Sequence, residues 1–188
     1  MSRLKIRSLF VLTFALVAAH APNGSATTLR EAVSAQDDAK LSGPERLKEE
    51  LARVGVQKFT DRNYKPGLLR HIVLFRYAAD VTAAQKQQVK ERFLALQKSR
   101  RNGKPYIVSI ETGGQNSGEG VDNSLEQAFV VTFQSQGDRN FYVGQPLVSN
   151  PRYYDANHQT FKNFVGPLLH KEPLGVLVFD FTIEAIAE

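Results

Sequence analysis

Apolar and polar positions fail to alternate in two stretches about a hundred residues apart, HIVLFRY at 71–77 and GVLVFDF at 175–181. A strand with one wet face reads apolar, polar, apolar, because successive side chains point to opposite faces of the sheet. These two runs are apolar at nearly every position, which predicts strands covered on both faces. Each also carries a group that burial disfavours, His71 in the first and Asp180 in the second.

The spacing between the runs changes period several times. Thr82-Ala83-Ala84-Gln85 has the form of a capping box, and Val89, Phe93 and Leu96 follow at helical spacing. A strand is predicted over 106–111, ending at Gly113-Gly114, and another over 128–133 beyond a polar loop containing Gly118 and Gly120. After a break at 144–146, Asn150-Pro151 predicts a helix running to about Val165, stopped by Gly166-Pro167. The order strand, helix, strand, strand, helix, strand predicts an α+β, ferredoxin-like βαββαβ fold with one antiparallel sheet and both helices on one face. The remaining apolar face then calls for a second sheet, so two copies are expected to pack sheet to sheet as a homodimer.

Upstream of this domain (68–188), the chain divides into two short parts. Residues 1–26 read as a signal peptide: Arg3, Lys5 and Arg7 precede an apolar core from Leu9 to Ala19, and cleavage after Gly24-Ser25-Ala26 would leave Thr27 first. The expected location is therefore periplasmic or secreted, with no membrane span after cleavage. Residues 27–67 are a charged linker with one amphipathic helix over 42–54, on which Leu47, Leu51 and Val54 form a narrow stripe. That stripe can dock on the domain or stay free.

Charge and composition remove several function classes. The formal net charge of +5 includes the three leader cations and shrinks when they are lost, so there is no case for nucleic acid as a partner. The chain has no cysteine, which excludes disulfides, thiolate chemistry and cysteine zinc sites. The histidines form no HExxH pattern, and neither a catalytic metal nor another cofactor is expected. The glycine-rich loop 113–120 lacks the Lys-Ser/Thr pair of a phosphate loop and joins two strands, which makes it a hairpin loop.

The pieces around Arg70-His71-Ile72-Val73-Leu74-Phe75, the helix after Thr82, the 128–133 strand, His158-Gln159-Thr160-Phe161 and the terminal 176–181 strand together resemble the stress-responsive alpha/beta-barrel (Dabb) domain family. The resemblance spans about Leu68 to Ile183 and implies a dimer whose two sheets form an α/β barrel, with a pocket for a small apolar or aromatic ligand between sheet and helices. One plant branch comprises polyketide cyclases in which a helical His and a Tyr act as acid and base. By that motif His158 takes the helical His position, His71 the first-strand position and Asp180 the last-strand position. The chain departs from the branch at Arg152, where direct counting places the Tyr, at Gln127, and at Asp155-Ala156-Asn157 before the histidine.

On the expected helix, Tyr154, His158, Phe161 and Val165 share one face, so His158 should look at the sheet. A buried imidazole near Asp180 would be oriented and made more basic by the carboxylate, as acid–base chemistry requires; the same histidine is equally satisfied as a core residue. His71 and Asp180 are expected to pair, supporting His158. Tyr154, Phe161, Phe75 and Tyr142 are the candidate ligand contacts. The leading expectation is an exported dimer binding a small apolar or aromatic molecule, with a stress setting implied by the family name alone. Beside it stand an acid–base enzyme, similar to the polyketide cyclases or small monooxygenases of this fold, using His158, and a non-catalytic interaction module with a filled pocket.

Overall fold

The computed structural model describes residues 41–171 and 173–186; the signal-peptide reading and most of the linker lie outside them. From Gly43 onward the chain forms one unit. Two helices open it, α1 (Gly43–Val54) and the single-turn α2 (Val56–Phe59), followed by strand β1 (Pro66–Phe75). Helix α3 (Ala83–Ala95) comes next, with Thr82 and Gln85 forming the reciprocal capping box that their spacing implied. A two-residue hairpin, β2 (Arg100–Arg101) with β3 (Lys104–Pro105), leads to β4 (Ile107–Gly114) and β5 (Gln127–Ser135). Helices α4 (Gln136–Val143) and α5 (Ala156–Val165) precede the last strand, β6 (Val176–Thr182).

The four long strands form one antiparallel sheet in the order β4-β5-β1-β6, the arrangement expected of a ferredoxin-like fold. Register assigns the faces. Leu69, His71, Val73 and Phe75 of β1 stand opposite Phe133, Val131, Phe129 and Gln127 of β5, and all but Gln127 are buried on the helix side. The core there is aromatic: Phe93 of α3 stacks on Phe129 with ring centres 3.8 Å apart, and Phe161 of α5 meets Phe93 edge-on at 5.1 Å.

The opposite face carries Leu68, Ile72 and Leu74 of β1 and Leu177, Phe179 and Phe181 of β6, and among the described residues no helix covers it. Phe179 is 58% exposed. The helix-side residues of β6 are open too, with Val178 53% exposed, because α5 does not reach across this edge strand. The apolar run in β6 therefore has two causes, an unpartnered sheet face and the mouth of a cavity, where the pattern alone suggested only the first.

Beyond α2 and the β2–β3 hairpin, which the sequence pattern did not signal, two elements near the cavity differ from the sequence expectation. Helix α4 was not foreseen, since QGDRN at 136–140 carries no apolar period; yet Ser135 caps it by accepting from the Asp138 N–H, and most of it is buried. It sits tightly against the 60–65 segment, where a Cβ on Gly137 would lie 1.7 Å from the Asp61 carbonyl oxygen, so only glycine fits. The second difference is the start of α5. Asn150-Pro151 begins a 3₁₀ turn, Pro151–Tyr153, and the α-helix starts afresh where the Asp155 carboxylate accepts from the Asn157 and His158 N–H groups. Tyr154 is consequently not on the helix with His158.

Candidate functional site

A cavity of about 360 Å³ lies between the sheet and the helices and opens at the β6 edge. Its floor is His71, Val73 and Phe75 of β1 with Val176, Val178 and Asp180 of β6. One wall is the inner face of α5, where His158, Phe161, Lys162 and Val165 recur at helical spacing. A second contains Arg139, Asn140 and Val143 from α4, and a third Leu47, Phe59, Leu147 and Val148. The lining is chiefly apolar, with its polar groups few and specific, the character of small-molecule sites.

Strand register creates the first polar group. His71 and Asp180 are directly opposite across β1 and β6, and His71 Nδ1 lies 2.6 Å from Asp180 Oδ1. The other carboxylate oxygen accepts from Arg139 Nη1, and Arg139 Nε donates to Asn140 at 3.0 Å. Burial by itself would raise the Asp180 pKa, but the hydrogen bond and attraction from His71, joined by Arg139, outweigh it and hold the carboxyl below its ordinary value.

The second polar group is His158, 7% exposed. Its Nδ1 lies 2.7 Å from the Tyr142 carbonyl oxygen. A carbonyl only accepts, so Nδ1 carries the proton, and Nε2 keeps its lone pair when the ring is neutral. Burial keeps it neutral: desolvation, with smaller contributions from Lys162 and His71, lowers the His158 pKa to about 3 against the bond to Tyr142. Lys162 is tied down by donating to the carbonyls of Val143 and Gln145, both at 2.9 Å, and burial lowers its pKa.

The structure thus brings His71, His158, Asp180, Phe75 and Phe161 to one cavity and corrects how they are connected. Asp180 serves His71 and Arg139 and leaves His158 to a backbone carbonyl; opposite register across β1 and β6 decides this. Tyr142 lies behind the lining, its ring stacked on His158 at 3.8 Å, fully buried, with a hydroxyl that has no partner among the described residues. Burial, with the Asp155 charge nearby, pushes that phenol well above its ordinary range, which suits packing better than proton transfer. Tyr154 packs in a separate cluster with Phe59, Tyr64 and Val148 and does not line the cavity, and Arg152 is exposed on its 3₁₀ turn. The sequence reading missed Arg139, Asn140 and Lys162. The serine cap Ser135-x-x-Asp138 was the signal that could have revealed α4 and with it Arg139.

The profile of the stress responsive A/B barrel domain family matches residues 69–183. The chain belongs to this family. Its Dabb domain accordingly accounts for everything from Leu69 in β1 to the end of β6, while α1 and α2 precede the match. No curated protein matches the chain. Among solved structures, the hydroxynitrile lyase of Passiflora edulis is similar at 22% identity, with 65% of this chain and 99% of that one covered and a TM-score of 0.49. An Arabidopsis thaliana protein gives 18% identity, 64% and 99% coverage and a TM-score of 0.49. A dimeric ferredoxin-like protein of unknown function from Jannaschia sp. gives 16%, with 62% and 100% coverage and a TM-score of 0.48.

Proposed function

We propose that this Dabb-domain protein is an exported homodimer that binds a small, mostly apolar or aromatic molecule bearing a hydroxyl group. The observation that carries the reading is the open, apolar-lined cavity of about 360 Å³ with two imidazoles in its lining. The size lies within the usual range for ligand pockets. A hydroxyl is the matching group because Nε2 of neutral His158 accepts and cannot donate, so a donor on the ligand pairs where a ketone or ester would not. The second copy supplies a cover for Leu68, Ile72, Leu74, Leu177, Phe179 and Phe181, since an apolar sheet face of this extent is an association surface. Export follows from the leader-like residues 1–26.

An acid–base enzyme is the second reading, and one observation favours it: His71 is held at Nδ1 by a half-buried carboxylate, the arrangement that orients a histidine for proton transfer. In that reading His71 moves the proton. His158 is too weak a base at neutral pH and instead receives the ligand's hydrogen bond. The family resemblance had pointed to His158 for this role.

Native mass spectrometry of protein purified from its own source separates these readings from a closed interaction module. A dimer with extra mass that is lost in Val165→Trp, which fills the cavity, is the expected result. A bare dimer, unmoved by added 4-methylphenol in NMR titrations, would overturn ligand binding. A stable monomer at micromolar concentration would overturn the sheet-to-sheet association.

A further inference from the structure

Most of the cavity belongs to the family domain, but part of one wall does not. Leu47 on α1 and Phe59 on α2 lie before residue 69, where the family match begins, and both line the cavity beside Leu147 and Val148. The two residues are held very differently. Phe59 is buried, its carbonyl accepts from Asn140 Nδ2 at 2.7 Å, and the segment after it is tied to α4 by Gly137 N–H donating to the Tyr64 carbonyl at 3.0 Å. Helix α1 has no buried residue at all. It rests on the domain through Leu47, Leu51 and Val54, with Glu50 accepting from Tyr64 and paired to Lys65 at 2.5 Å.

The junction between them is Gly55, at φ 77° and ψ 154°, a conformation that L side chains rarely adopt. Chain direction therefore changes at one residue, between a half-exposed helix and a fixed turn. A helix pinned through Glu50 that contributes a single large side chain to a cavity is suited to setting how much the cavity admits.

Resting on the ligand-binding reading above, we infer that α1 is a size-selecting wall, and that Leu47 sets the largest apolar group the cavity accepts. The wall lies outside the shared domain, so it gives this protein a selectivity that the family scaffold does not itself supply. Glu50, bound to Tyr64 and Lys65, positions Leu47 by fixing the helix.

The test is calorimetric titration of the full chain with 4-alkylphenols from methyl to octyl, comparing the native protein, Leu47→Ala and Leu47→Trp. In the native protein each methylene should tighten binding about fourfold until the group reaches α1, after which the gain stops. Leu47→Ala should move that stop to a longer chain, and Leu47→Trp should weaken the longest bound phenol about tenfold or more, with 4-methylphenol changed less than about twofold throughout. A matching two-dimensional amide spectrum confirms that each variant is folded. The same stop in all three proteins, with Val165→Trp still abolishing binding, would overturn the role of α1 and leave the cavity intact. No binding of any phenol to the native protein would overturn the cavity reading and this inference with it.

Discussion

The two histidines of the cavity have opposite surroundings. His71 stands on a strand and faces a carboxylate, itself shared with Arg139, so its environment is a small charged network. His158 stands on a helix, gives its Nδ1 proton to a neutral carbonyl, and is stacked against a buried phenol. Identical side chains in one cavity thus have different partners: one a carboxylate, the other a neutral carbonyl. The distinction arises from backbone register, because β1 and β6 place Asp180 across from His71 and nowhere else.

The charged side should be the more costly to disturb. Asp180→Ala leaves Arg139 and His71 facing each other without their anion, and a loss of about 3 kcal/mol in urea unfolding is expected, toward the low end for buried pairs because the Asp180 side chain is 22% exposed. Asp180→Asn, which still accepts from His71, should lose less. Equal losses for the two would mean that charge is not what holds this side together.

The neutral side should show itself in acid. The His158 pKa falls from an ordinary 6.5 to about 3 on folding, so between those values the unfolded chain binds a proton that the native chain does not. Its contribution is present above pH 6.5 and is lost as pH falls, at up to about 1.4 kcal/mol per pH unit. His158→Gln should flatten that slope. Asp180 works in a lower window: its carboxyl is held below 3.8, and the stability it confers is lost as pH falls from about 3.8 through the lowered value. Urea titrations at stepped pH would show the two phases in that order, and a single phase would merge what the structure keeps apart.

Tyr142→Phe should have the smallest effect, and of opposite sign. Its hydroxyl is buried without a partner among the described residues, so removing it should leave stability unchanged or raise it by about 1 kcal/mol at most. A clear loss would reveal a partner for that oxygen and a polar role for the layer behind His158.

What the sequence made legible was whatever burial writes as a period. The apolar strands, the Thr82 capping box and the face shared by His158, Phe161 and Val165 all follow from local pattern, and they suffice for the sheet and both main helices. The pairing of His71 with Asp180 was readable from their places on the first and last strands. Helix α4 was hidden because its polar residues are buried by distant partners: Asn140 by the Phe59 carbonyl, Arg139 by Asp180. Tyr154 was misplaced because two caps compete and Asp155, with two N–H groups to accept from, starts the α-helix after it. The contribution of Leu47 to the cavity depends on where α1 docks, and its spacing showed only that it had an apolar stripe.

At the centre of the proposed function, His158 is a neutral hydrogen-bond acceptor in the cavity. Long-range ¹H–¹⁵N NMR of the imidazole nitrogens, followed from pH 7.5 to 4, observes it directly. His158 should stay in the Nδ1–H form across this range, and its Nε2 signal should shift when 4-methylphenol binds. A ring that takes up a proton near pH 6.5, or an Nε2 signal indifferent to bound phenol, would contradict it.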